Sequence, residues 1–215
     1  MSAELGFAHR FEPGSSRAAL LLLHGTGGNE HSLIELARQL APATNLLSPR
    51  GKVLENGAPR FFRRLAMGVF DEADLTVQTA DLARFVEEAA AHYGFDAGRV
   101  YALGYSNGAN MAAALMLLYP ELLAGGVLLR PVLPLEPPAP PDLSGKAAFL
   151  AAGRRDPWAP TERVEALASW LERAGAEVEL RWQEGGHELH SEELEAARKW
   201  LARHLDDWRL QTLAP

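Results

Sequence analysis

Ser106 stands between two glycines in Gly104-Tyr105-Ser106-Asn107-Gly108, with the apolar run Val100 to Leu103 before it and a stretch rich in helix formers, Ala109 to Leu118, after it. A strand that turns sharply into a helix leaves no room for side chains beside the serine. Glycines at the flanking positions meet that requirement, and the hydroxyl projects alone. Ser106 is the first candidate for a nucleophile. Ser-Asn-Gly is also ordinary turn chemistry, so the motif gains its meaning from the strand and helix around it.

A serine hydroxyl attacks poorly near neutral pH. It needs a base to take its proton, usually a histidine whose tautomer is fixed by a carboxylate. Two later segments supply these groups, each directly past a strand-like run. Asp156 follows Ala147 to Ala152 and Gly153, and His187 follows Glu177 to Trp182 and Gly185-Gly186. Among the seven histidines, His92 and His204 fall in helical patterns, His9 lies near the N-terminus, and His24 and His31 precede the serine. His190, at the start of the last helix, is the nearest rival for the base. Asp142 is the alternative acid, but it precedes its strand where Asp156 follows one. Loop position therefore selects Ser106, Asp156 and His187.

Acyl transfer also needs donors aimed at the oxyanion, and backbone amides can provide them. Asn107, next after the serine, is one. The other is expected from the glycine-rich segment Leu23 to Glu30, at Thr26. That segment is not a phosphate-cradling P-loop, whose lysine and hydroxyl residue are missing.

The elements that must position these groups alternate along the chain, which predicts an α/β fold with a mostly parallel sheet. Ala18 to Leu23 reads as a strand buried on both faces, His31 to Leu40 as a helix, and Asn45 to Ser48 as a short strand. A longer helix is expected over about Leu75 to Tyr93, ended by Gly94. Past the serine come a strand over Gly126 to Arg130 and a proline-rich loop from Pro131 to Pro141. Ala147 to Ala152 is the next strand, followed by a helix capped by Thr161. Glu177 to Trp182 is the last strand, and a terminal helix is capped by Ser191 with Glu192 and Glu193 in its first turn.

The chain has 215 residues, 47% hydrophobic and 23% charged, which suits one domain over 1–215 with a sheet covered on both faces. A net charge of −7 argues against nucleic acid as a partner. There is no cysteine, so disulfides, thiolate catalysis and cysteine metal sites are excluded. No basic and apolar leader opens the sequence and no apolar run approaches a membrane span, so a cytoplasmic location without membrane insertion is expected.

Taken together, Leu23 to Glu30, Gly104 to Ala109, Gly153 to Pro157 and Gly185 to His187 resemble the phospholipase/carboxylesterase family of α/β-hydrolases, near acyl-protein thioesterases and small bacterial carboxylesterases. The resemblance spans nearly the whole chain. It implies an α/β-hydrolase fold without a large lid domain and a Ser106-His187-Asp156 triad acting on a small ester or thioester substrate. It implies neither a metal nor an organic cofactor. Thr26 stands where thioesterases of the family often carry leucine, and Ala109 where they carry a second glycine; ester and thioester both stay open. Pro59 to Arg64 and the acidic stretch after Phe70 resemble a bacterial branch linked with dienelactone or hydroquinone hydrolases. True dienelactone hydrolases use a cysteine nucleophile, which this chain lacks. Related carboxylesterases often form a homodimer, for which Leu115 to Leu118 and Trp208 to Leu213 are candidate segments.

The pocket is expected around the loop from Gly51 to Val69, long for so compact a chain. Phe61 and Phe62 could line an acyl or aryl pocket or belong to the core. Trp158 and Leu189 are further candidate walls. Arg60, Arg63 and Arg64 are expected to pair with Asp71, Glu72 and Asp74, with recognition of an acidic substrate as the alternative. The proline-rich loop is too short for a lipase lid, so the site should be open and suited to short or soluble esters. A non-catalytic scaffold and a peptidase are the competing readings; retention of all three candidate residues speaks against the first, and the absence of an added peptide-positioning domain against the second.

Overall fold

Eleven strands and five helices follow one another over residues 5–206, the part of the chain that the computed structural model describes. Seven strands form one sheet in the order β1-β3-β2-β8-β9-β10-β11. They are β1 (His9–Glu12), β2 (Ala19–Leu23), β3 (Asn45–Pro49), β8 (Val100–Tyr105), β9 (Gly125–Leu129), β10 (Ala147–Gly153) and β11 (Glu177–Gln183). Only β1, at one edge, runs antiparallel. Its sequence, His9-Arg10-Phe11-Glu12, is polar and short, so it carries no strong strand signal of its own.

The central strands are apolar throughout because both faces are covered. Along β2, Ala19, Leu21 and Leu23 face one core and Leu20 and Leu22 the other, the alternation that a pleated strand imposes. The first core is closed by α2 (Glu72–Tyr93), α3 (Asn107–Leu118) and α4 (Thr161–Arg173). The second is closed by α1 (Ile34–Leu40) and α5 (Ser191–Asp206).

Several boundaries differ from the sequence-based expectation, each for a local reason. Helix α2 begins at Glu72 because the Asp71 carboxylate accepts from Asp74 N, and it ends where Gly94 takes φ 77°. Helix α1 begins at Ile34 instead of His31. Ser32 Oγ accepts from Asn29 N and Asn29 Oδ1 accepts from His31 N, a side-chain turn that occupies the first residues. Thr161 is the first helical residue of α4, with Pro160 in the cap position and no side-chain cap. Ser191 is likewise inside α5. The capping bond there comes from Glu193, whose carboxylate accepts from His190 N at 2.8 Å.

The segment from Gly51 to Val69 is not an open loop. It folds into two hairpins, β4 (Val53–Glu55) with β5 (Ala58–Arg60), and β6 (Arg64–Ala66) with β7 (Val69–Phe70). Asn56 and Gly57, both at positive φ, make the first turn, a two-residue hairpin signal present in the sequence. Leu115 to Leu118, expected at a dimer surface, belongs largely to the core: Leu115, Met116 and Leu117 are buried. Trp208 to Leu213 lies outside the described residues. Among the described residues no helix is long and apolar enough to cross a membrane.

Candidate active site

Four loops leave the carboxyl ends of β2, β8, β10 and β11 and converge, the usual place for a site in a parallel sheet. Ser106 occupies the turn from β8 into α3 at φ 54° and ψ −115°, a strained conformation for a residue with a side chain. The turn is held by close backbone approach. A Cβ on Gly108 would lie 1.9 Å from the Leu23 carbonyl oxygen, and one on Gly104 would lie 2.6 Å from that of Gly108. The Ser106 N–H donates to Leu129 O at 2.9 Å, which ties the turn to β9.

Three of the predicted residues come together. His187 Nε2 lies 2.9 Å from Ser106 Oγ, and His187 Nδ1 lies 2.6 Å from Asp156 Oδ2. Asp156 is buried, and its Oδ1 accepts from the N–H groups of Trp158 and Ala159. A carboxylate so engaged keeps the proton of the imidazole on Nδ1 and leaves Nε2 as the acceptor facing the serine. The rivals lie elsewhere: Asp142 accepts from Ser144 N in the loop before β10, and His190 Nε2 faces Glu188 at 3.4 Å.

Thr26 and Asn107 both line the same cavity as Ser106. Among the described residues neither backbone N–H has a hydrogen-bond partner, so both are available to an oxyanion. The Thr26 loop is pinned through His24, whose Nδ1 donates to Gly25 O at 2.7 Å while Nε2 accepts from Gly51 N at 3.0 Å. Acceptance at Nε2 requires the neutral ring, and burial lowers the pKa of His24.

The cavity encloses about 380 Å³. Trp158, 54% exposed, borders it with its ring edge-on to His187 at 4.9 Å. Met67 and Phe70, from the second hairpin, form further apolar wall, together with Arg60 and Arg64. Phe61 and Phe62 do not line it: they are 2% and 0% exposed and belong to the first core, at the bend between the two hairpins. Phe61 acts indirectly, its N–H donating to Asn107 Oδ1 at 2.8 Å. Leu189 also falls outside the cavity. It packs against the core closed by α1 and α5.

Arg63 pairs with Asp71 and Asp74 as the sequence suggested. Arg60 and Arg64 do not. Both turn to Glu55 on the first hairpin.

Two residues essential to the geometry escape sequence reasoning. Arg130, at φ 59° just past β9, forms a fully buried ion pair with Glu193. It also donates to the carbonyls of Gly186 and Glu188, on either side of His187. Tyr105 OH donates to His187 O at 3.0 Å. The one signal in the sequence is a charged residue closing an apolar strand, paired with a glutamate at the third position of a helix.

A parallel sheet covered by helices on both faces, with a serine on a strained strand-to-helix turn, is the α/β-hydrolase fold. The Phospholipase/Carboxylesterase family profile matches residues 12–205, and the chain belongs to that family. MhqD of Bacillus subtilis (strain 168), a protein named as a hydrolase, is 50% identical over 192 residues, covering 89% of this chain and 96% of MhqD. The Bacillus cereus carboxylesterase superposes with a TM-score of 0.88 at 46% identity, over 91% of this chain and 93% of that structure. The carboxylesterase of Mesorhizobium loti gives a TM-score of 0.87 at 36% identity, over 93% and 96% of the two chains.

Proposed function

We propose that the protein is a serine esterase that cleaves carboxylic esters of small substrates through an acyl-enzyme. The observation that carries this reading is the continuous chain from Ser106 Oγ through His187 to Asp156, at 2.9 and 2.6 Å, beside two unpaired backbone N–H groups. In the first step Ser106 Oγ bonds to the ester carbonyl carbon as His187 Nε2 takes the hydroxyl proton. The carbonyl oxygen becomes an oxyanion facing the N–H groups of Thr26 and Asn107. The carbon–oxygen bond to the alcohol then breaks, and His187 returns its proton to the leaving alcohol. Water repeats the sequence on the acyl-enzyme and releases the acid. Asp156 holds the imidazole in one tautomer and stabilises the imidazolium.

The walls favour compact substrates. Core packing of Phe61 and Phe62 leaves no long apolar tunnel among the lining residues, and a cavity of about 380 Å³ suits a short ester. Labelling by a fluorophosphonate probe, compared in the wild type and Ser106→Ala, tests the mechanism alongside hydrolysis of p-nitrophenyl esters from acetate to laurate. Labelling should vanish in the variant, and turnover should be greatest at short chains. A folded wild type that neither labels nor turns over any ester would refute the reading and leave a ligand-binding scaffold in its place.

A further inference from the structure

Two guanidiniums, those of Arg60 and Arg64, line the cavity that opens on Ser106. They share a single carboxylate. Glu55 Oε2 lies 3.1 Å from Arg60 Nη1, and Glu55 Oε1 accepts from Arg64 Nε at 2.8 Å. Burial works to raise the Glu55 pKa, but the hydrogen bond from Arg64 and the charge of Arg60 outweigh it and hold the group ionised. The set of three therefore carries one uncompensated positive charge. Arg63, next to Arg64 in sequence, is by contrast matched by Asp71 and Asp74.

The two arginines are held differently. Arg60 is buried and fixed, with Nε donating to Phe62 O and Nη1 to Thr26 Oγ1. Arg64 is half-buried; beyond Glu55, its hydrogen bond among the described residues goes to the Met67 thioether, a weak acceptor that an oxyanion would readily replace. The other carboxylate of the site, Asp156, is committed to His187, Trp158 and Ala159.

Asn107 Oδ1 accepts from Phe61 N–H at 2.8 Å, which ties the turn that bears Ser106 to the segment that carries both arginines.

We propose that the ester hydrolysed at this site carries a carboxylate on one side of the scissile bond, gripped by Arg64 with Arg60 behind it. The proposal rests on the esterase reading above and names its substrate class. A single surplus charge matches a carboxylate monoanion better than a phosphate dianion. The planar fork of arginine suits a carboxylate as well.

Matched pairs of substrates test it on both sides of the bond. On the acyl side, mono-p-nitrophenyl adipate is compared with its methyl ester; on the alcohol side, 4-acetoxybenzoate is compared with methyl 4-acetoxybenzoate. Each kcat/KM is normalised to the rate of the same ester with hydroxide. The wild type should prefer the acid over its neutral twin by about tenfold or more on one side. That preference should shrink as salt rises from about 0.02 to about 0.5 M. In Arg64→Gln the ratio of acid to neutral rates should fall to about one, with Arg64→Lys retaining part of it.

Equal or better turnover of the neutral twin on both sides overturns the proposal in the wild type alone, whether or not the variants fold. An unchanged ratio in Arg64→Gln overturns it as well. Fluorophosphonate labelling of Ser106 separates the two failures. Turnover without acid preference removes only the carboxylate site, whereas neither labelling nor turnover removes the esterase reading with it.

Discussion

Arg130 and Glu193 form an ion pair whose side chains are fully buried, with Nη2 to Oε1 at 2.8 Å and Nη1 to Oε2 at 2.9 Å, against the loop that bears His187. The pair joins the end of β9 to the start of α5, which lie 63 residues apart. Arg130 holds the carbonyls of Gly186 and Glu188. Glu193 caps α5 through His190 N. Its value lies in placement more than in net electrostatic gain, since burying two charges offsets much of their attraction.

Removing one partner leaves the other charge buried and alone. Arg130→Met should therefore lower the unfolding free energy by about 3–5 kcal/mol, and the double variant Arg130→Met/Glu193→Leu should recover a good part of that loss. Urea unfolding of the two single variants and the double variant measures both. In the double variant kcat should stay depressed although stability returns, because the carbonyls of Gly186 and Glu188 then lose the donor that holds them on either side of His187.

Asp156 accepts two backbone N–H groups besides the imidazole, so Asp156→Asn keeps the side chain nearly isosteric while reversing the hydrogen bond to His187 Nδ1. An amide donor in that place selects the tautomer with its proton on Nε2, which cannot accept from Ser106. A fall in kcat/KM of about 10³- to 10⁴-fold is expected on p-nitrophenyl acetate, with KM changed far less. The assay is steady-state kinetics with circular dichroism to verify folding. A loss smaller than about tenfold would remove Asp156 from the mechanism.

What the sequence discloses divides along a physical line. Ser106, Asp156 and His187 were legible because each follows a strand and each is preceded or flanked by glycines, so chain-local signals carry them. The parallel strands were legible as unbroken apolar runs. Arg130 and Glu193 were not, because a buried ion pair is a relation between residues 63 apart that neither neighbourhood reports. Phe61 and Phe62 stay undecided between wall and core for a related reason: they sit at the bend between two hairpins, and which way that bend faces depends on packing with residues distant in sequence. Arg60 and Arg64 meet Glu55 instead of Asp71 to Asp74 because pairing of β4 with β5 sets Glu55 and Arg60 on one face of the first hairpin, a relation of strand register that composition does not report.

Burial of Phe61 makes it a stability residue with a link to the site through its N–H on Asn107. Phe61→Ala should cost about 3–5 kcal/mol in urea unfolding, the loss expected for a large core side chain. Met67→Ala, at a rim position 60% exposed, should change stability by less than about 0.5 kcal/mol. A Phe61→Ala protein of unaltered stability with a shifted acyl-length optimum would return Phe61 to the pocket wall.

Gly108 sets the limit on what the serine turn accepts. A methyl group there meets the Leu23 carbonyl at 1.9 Å, and the clashing atoms are backbone of a central strand that cannot swing away. Gly108→Ala should therefore be destabilised by about 3 kcal/mol or more and lose fluorophosphonate labelling through displacement of Ser106. Gly57→Ala has open space around its Cβ and suffers only the strain of φ 83°, so its cost should be near 1 kcal/mol and its labelling intact. The pair distinguishes steric need for glycine from conformational need.

His24 gives the fold a pH dependence of known sign. Its native pKa lies below 6.5, mainly through burial, with bonds at Nδ1 and Nε2 that only the neutral ring can make together. In the unfolded chain the ring titrates near 6.5. Above that pH both states hold it neutral and its contribution is fully present. As pH falls below 6.5 the unfolded state binds the proton first, and stability declines until the lowered native pKa is reached. Urea unfolding of wild type and His24→Gln at about pH 8, 7.5, 6.5 and 5.5 isolates this group. The wild type should lose more stability than the variant between pH 6.5 and 5.5, while the difference between them stays constant from pH 8 to about 7.5. Equal pH slopes in the two proteins would show that His24 is protonated as readily in the native loop as in the unfolded chain. The hydrogen bond from Gly51 N to Nε2 would then contribute nothing to holding Thr26 at the cavity.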